Sequence, residues 1–276
     1  MLQMCLCFFQ VCGFYPINVK RNEQNIKKLS INLRFLLLSI FHSLLIIGFF
    51  SYVLIQRDEM LYAKTVIGTV CDILVYFSMI FAHFMIVTEA FVKRKFLVKF
   101  WIYKQKYLKL TKQKAQKFDK IISLKVFLFV ILTIVSEVIV IRNIELDQQW
   151  TNFWFASIFS LCLCRFRHLQ QVLFVDIIFF SLKDLNCSLR AITLWSKALG
   201  DEKAFVKSFM YKNMKISEKK LKSLMEMVIC VNKIFCWSQV FNFGQNFLEI
   251  SACLFWIYDS ASGPDFLWGE YELIVL

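Results

Sequence analysis

Proline and glycine are scarce in this chain, 2 and 7 residues among 276, and the glycines inside apolar blocks are Gly48, Gly68 and Gly244. A secondary transporter would favour helices broken by such residues and an internal repeat. No repeat is found, and the apolar blocks hold no proline. Histidine is scarcer still: His42, His83 and His168 stand in separate segments. HExxH, GxSxG, GxGxxG and P-loop patterns are all missing. No enzyme is expected, and with it no catalytic residue, no cofactor and no metal site. Charge is also in short supply, at 19% of residues against roughly a quarter in soluble domains.

What is present is apolar. Hydrophobic residues make up 58% of the chain, 31 of the residues are Phe, and mean hydropathy is +0.57. They come in long blocks, the pattern of an integral membrane protein. The net charge of +13 comes from lysines and arginines between those blocks. No stacking-aromatic or zinc-finger signature accompanies them, so basic loops beside membrane spans explain them and no nucleic-acid partner is expected. Ten cysteines give no disulfide framework. Cys71, Cys162, Cys164, Cys230, Cys236 and Cys253 lie within apolar blocks and act as small hydrophobes. The Cys5-x-Cys7 and Cys162-x-Cys164 pairs lack the Cys/His partners of a zinc site. The opening stretch "MLQMCLCFFQVCGFYP" has neither the basic start nor the small-residue cleavage site of a signal peptide.

About 20 apolar residues cross the hydrocarbon core at 1.5 Å per residue. The expected fold is all-α, a polytopic membrane helix bundle. Residues 1–34 form an N-terminal segment and 35–276 the transmembrane domain, with spans at about 35–55, 66–91, 121–141, 150–172 and 235–258 and a partial sixth at 266–276. Orientation follows from Lys and Arg. Lys20, Arg21, Lys27, Lys28 and Arg34 precede the first span, a dense basic run fills Lys93 to Lys120, and a third lies between Lys183 and Lys222. The alternate loops are balanced, slightly acidic or free of Lys and Arg. The N-terminus is therefore expected in the cytoplasm, which tells against a G-protein-coupled receptor.

Polar groups inside a membrane are costly and face the bundle interior or a watery cavity. In the fifth expected span Gln239, Asn242, Asn246 and Glu249 recur at helical spacing, with Gln245 to the side. Asp72, Tyr76 and His83 fall on one side of the second, and Glu137 sits in the third. The fourth opens with Trp150, Phe153 and Trp154. Hydrogen bonding between helices and an interfacial tryptophan belt would account for them. An outward-facing ligand pocket is the other reading, with Asp72, Tyr76, Glu137, Trp154, Asn242, Asn246 and Glu249 as its residues. Acidic and aromatic walls suit a polyol or an organic cation. Arg165, Arg167 and His168 interrupt the fourth span within one or two turns of its cytoplasmic end. Their stems are expected to run along the apolar wall while their heads reach inward to water. Asp176 is expected beyond the membrane, in helix packing below it.

"GFYP" from Gly13, "FRHLQQVLFVDII" at the end of the fourth span, "LKDLN" from Leu182, "LKSLMEMVICVNKIF" before the fifth span and "LFWIY" from Leu254 occur in order. Together they make the chain resemble an insect gustatory receptor, of the seven-span chemoreceptor superfamily. The resemblance implies a ligand-gated cation channel in the plasma membrane, assembled as a homo- or hetero-tetramer with related receptors and surrounded by lipid. It implies a small-molecule tastant in an extracellular-facing pocket, and cytoplasmic helix extensions packed as an anchor. It also implies a pore-lining seventh span with a Thr-Tyr…Gln-Phe signature. The chain reaches Leu276 within the expected sixth span, without that signature. A non-conducting subunit or interaction partner of full-length receptors is thus the second expectation.

Overall fold

The computed structural model describes residues 6–7, 9–10, 12, 17–20, 28–31, 33–56, 66–111, 116–144, 148–198 and 203–262. Among these residues long proline-free runs of Leu, Ile, Phe and Val give six helices: α1 Leu33–Ile55, α2 Val66–Val92, α3 Arg94–Leu110, α4 Gln116–Ile144, α5 Gln148–Ala198 and α6 Lys203–Ser262. The five expected spans fall inside α1, α2, α4, α5 and α6; residues 266–276 lie outside the described residues. A small hairpin, absent from the sequence expectation, precedes them: β1 Ile17–Lys20 pairs antiparallel with β2 Lys28–Ile31, from Ile17 opposite Ile31 to Lys20 opposite Lys28.

Among the described residues three helices are long and apolar enough to cross a membrane, over Leu37–Ile55, Ile67–Val92 and Lys207–Phe255. This is a helical membrane bundle. Helices α4 and α5 are not among these three over their described residues.

Helix α6 is the hub, packing against α2, α3 and α5; α5 also meets α1, α2 and α4. At 1.5 Å per residue α6 is about 90 Å long and α5 about 75 Å, far beyond a hydrocarbon core of about 30 Å. Their surplus length packs with α3. There Phe174 meets Phe100 at 4.5 Å, Trp101 at 6.0 Å and Phe235 at 5.6 Å between ring centroids. A second, smaller cluster joins α1 to α2 through Ile46, Val53, Tyr76, Met79 and Ile80. Part of the N-terminal segment enters the bundle: Phe9 is buried in one cluster with Ala82, Ile86, Leu163 and Cys164, and Leu6 and Cys12 pack against it.

Further along, three polar side chains tie α3, α5 and α6 together. The Tyr107 hydroxyl meets the Ser181 carbonyl at 2.5 Å and the Asp184 carboxylate at 2.9 Å. Lys220 reaches Asp184 at 3.5 Å and stands 5.7 Å from the Tyr107 ring centroid. Burial, and then the Asp184 carboxylate beside it, push the Tyr107 phenol above the ordinary tyrosine range. A value raised on folding means that this stabilisation is fully present below the unfolded pKa of about 10 and is lost as pH rises through the folded value. Tyr107→Phe is expected to cost about 1–2 kcal/mol, seen as a lower midpoint in size-exclusion melting. That difference should be constant between about pH 6 and 9; a difference that fades within this window would show that Tyr107 is not the donor.

Candidate functional site

The most enclosed polar group in the bundle is an ion pair. Glu89, one turn before the end of α2, and Arg167 of α5 are each 1% exposed at the side chain, with 3.1 Å between Nη2 and Oε2. Helix α6 supplies the rest. The Glu89 carboxylate accepts from the backbone N–H of Trp237 at 2.7 Å and of Ser238 at 3.0 Å, and from the Ser238 hydroxyl. The guanidinium donates to the Ile234 carbonyl at 2.9 Å, to Ser238 Oγ at 3.1 Å and to Gln170 Oε1 at 2.6 Å. It also lies 4.4 Å from the Phe235 ring centroid. In an uninterrupted helix the Ser238 N–H bonds the Ile234 carbonyl; here both groups also have a side-chain partner. Arg167 thus departs from the sequence expectation. It is buried and paired instead of reaching to water, because Glu89 and the turned backbone groups of α6 satisfy it where solvent would have.

Arg165 departs in the same way. Half-buried, it pairs with Glu137 of α4 and stands 3.5 Å from Ser136 Oγ, so its head turns toward a neighbouring helix. Glu249 of α6 lies within electrostatic reach of both Arg165 and Glu137 and accepts from Gln245 Nε2 at 2.7 Å. The structure therefore brings the expected site residues Glu137 and Glu249 into one polar layer, around an arginine that was not expected to belong there. Asp176 pairs with Lys125 at 2.8 Å, and the Lys125 side chain is 48% exposed. Around it Leu173, Phe174 and Ile177 are buried while Val172, Val175 and Phe179 are exposed. One face of this stretch of α5 is thus packed.

The expected stripe on α6 is rotated. Ser238, Asn242, Gln245 and Ala252 are buried and Glu249 is half-buried, whereas Gln239 and Asn246 are exposed. Asn242 and Glu249 belong to both candidate stripes, and packing against α2 and α5 selects the one through Gln245. The Asn242 side-chain oxygen has no hydrogen-bond partner among the described residues.

Asp72 and Tyr76 belong to a different place. Both are buried, and Tyr76 stacks on Phe50 of α1 at 5.8 Å. Asp72 stands about 25 Å from Glu89 along α2. His83, fully buried, contacts Ser160 through Nδ1 at 3.0 Å, near Phe159 and His42. The backbone of Trp154 is helical; its side chain lies outside the described residues. An apolar groove of about 530 Å³ runs along α1 between Phe41, Leu44, Leu45, Gly48, Phe49 and Tyr52. None of the expected ligand residues lines it. Among the described residues no group of three or more His, Cys, Asp or Glu is gathered as for a metal ion.

The bundle is thus that of a helical membrane protein whose polar groups are gathered between its helices. The chain matches the family model of the 7tm Chemosensory receptor over residues 2–275 and belongs to that family of chemoreceptors. No curated protein and no solved structure matches it.

Sequence reading missed Glu89, which stands near the end of an apolar run and looks like a boundary residue. Ser238 carried a usable signal, four residues before Asn242 and on the face that proves to be inward. Arg167→Ala or Glu89→Ala is expected to cost 3–5 kcal/mol by stranding one buried charge, leaving little monodisperse protein on size-exclusion chromatography. The paired variant Glu89→Gln with Arg167→Met should recover a folded peak. Equal loss in the pair and the single variants would show that the ion pair is not what binds these helices.

Proposed function

We propose that the chain is a gustatory receptor, a subunit of a tastant-gated cation channel in the plasma membrane with its N-terminus in the cytoplasm. The observation that carries this reading is a polar layer of two contacts, Arg165 with Glu137 between α5 and α4 and Gln245 with Glu249 on α6, within electrostatic reach of each other. Buried polar groups at a helix junction supply the few convergent hydrogen-bonding positions that orient a small ligand in an otherwise apolar site. Asn242, with its free acceptor, extends that layer along α6, and Asn246 stands at its outer edge. Asp72 and Tyr76 on α2 and Trp154 on α5 are further proposed ligand residues, at a level separate from that layer. Two carboxylates with one arginine leave acidic character for a polyol hydroxyl or an organic cation.

Assembly with other subunits is supported by the apolar residues left uncovered on the long helices, among them Phe179, Leu182, Leu194 and Trp195 on α5 and Met225 on α6. The same surface also favours a second reading, in which the chain joins related receptors without conducting.

Calcium imaging and patch recording of cells expressing the chain, alone and with a related receptor, separate the two. Tastant-evoked current that depends on the chain supports a channel subunit. Association that changes a relative's current, with none from the chain itself, supports the second reading, and silence without association removes both. In a responding assembly Glu249→Ala or Asn246→Ala should shift half-maximal tastant concentration about tenfold, roughly one lost polar contact, with unchanged surface staining. A matched fall in surface level for both variants would assign these residues to folding alone.

A further inference from the structure

Immediately after the apolar stretch of α2 ends at Val92, five cations gather where α3 begins and α6 passes: Lys93, Arg94, Lys95, Lys99 and Lys233. Lys99 of α3 and Lys233 of α6 stand on the same aromatic ring, 5.6 and 5.0 Å from the Phe96 centroid. Arg94 lies 4.5 Å from the Phe91 centroid. Lys95, Lys99 and Lys233 are exposed, and Lys93 and Arg94 are half-buried. Neither Lys99 nor Lys233 forms an ion pair among the described residues.

The surroundings offset only part of this charge. Glu226, Lys99 and Lys233 all lie around Cys230 at the α3–α6 seam, so one carboxylate stands against five cations. Glu89, the nearest acid on α2, is enclosed with Arg167. Like charges gathered at one seam repel each other, and a multiply charged anion beside them offsets that repulsion. Their depth identifies where such an anion resides. Lys233 directly precedes Ile234, whose carbonyl is held by Arg167, and Lys93 directly follows the last apolar residue of α2. The amines therefore stand at headgroup level, where clustered basic side chains attract anionic lipids.

We infer that the Phe96 seam between α3 and α6 binds the headgroup of a phosphoinositide, a phospholipid carrying more than one negative charge. The inference rests on the proposed orientation, which puts α3 on the cytoplasmic side. Five cations at one seam exceed what the single net charge of phosphatidylserine can balance, and the Phe96 and Phe91 rings position the cationic groups for a compact polyanion.

The test uses the whole chain in nanodiscs of phosphatidylcholine, alone or with phosphatidylserine or phosphatidylinositol 4,5-bisphosphate, read by native mass spectrometry and by melting. Retained bisphosphate lipid and a raised melting midpoint are expected, with a smaller effect from phosphatidylserine. Lys99→Ala with Lys233→Ala should weaken binding about twenty- to thirtyfold, the loss of two surface lysines. Lys106→Ala with Lys109→Ala, exposed on the same helix beyond the seam, should leave it unchanged. Soluble inositol trisphosphate should compete only weakly, since it lacks the acyl chains; full competition would assign the site to a free phosphate compound and overturn the lipid assignment. Equal loss in both double variants, or equal retention of phosphatidylserine, would reduce the seam to general charge and overturn it too. Nanodiscs offer both leaflets, so this result does not depend on orientation, which antibody staining of an N-terminal epitope in intact and permeabilised cells decides separately.

Discussion

The Glu89–Arg167 pair sets the terms for the rest of the bundle. Two opposite charges taken out of water cost several kcal/mol each unless geometry and further hydrogen bonds compensate. Here compensation requires three helices at once, because α2 brings the carboxylate, α5 the guanidinium, and α6 the backbone and hydroxyl groups that saturate both. Apolar side chains can slide along one another at little cost; this junction cannot shift by a residue without stranding a charge. It fixes the mutual register of α2, α5 and α6, and from that register follow the depth of the Arg165–Glu137–Glu249 layer and the start of the basic seam.

The bundle is then organised by level along its long helices. Asp72 and Tyr76 stand at the far end of α2 from Glu89, against α1. The Arg165 layer joins α4 to α5 and α6. The buried pair closes the junction, cations cluster just past it, and the Tyr107–Asp184–Lys220 contacts bind the helices beyond. Each level uses polar groups on different helices, so the order of the levels follows α5 forward, from Arg165 to Asp184, and α6 in reverse, from Glu249 to Lys220. Membrane and extramembrane parts share continuous helices, with the aromatic packing of Phe100, Phe174 and Phe235 between them.

Much of this was legible in the sequence. Apolar length located α1 and α2 almost to the residue, because hydrophobic runs and membrane thickness are directly linked. The same argument set Arg165 and Arg167 apart from the apolar residues of α5, and both are engaged there by carboxylates of neighbouring helices. Their partners were not legible. An arginine near a membrane boundary is satisfied equally well by water or by a carboxylate from another helix, and no local pattern tells Arg167 that Glu89, far away in sequence, is its neighbour. The α6 stripe shows the same limit at finer scale. Two faces sharing Asn242 and Glu249 fit the helical period, and only packing against α2 and α5 turns Gln245 inward and Asn246 outward. The β1–β2 hairpin had no apolar period long enough to announce it.

The sequence separation of the buried pair bears on how the protein is made. Glu89 is synthesised 78 residues before Arg167 and 149 before the Ser238 amide that completes its shell. While α2 is already in place, its carboxylate has no native partner, because α5 and α6 are still to be made. Only when α5 and α6 arrive are its hydrogen-bonding positions filled. Biogenesis therefore ends with a pairing step, and a chain halted before α6 would present an acidic group stripped of the backbone donors that complete its shell.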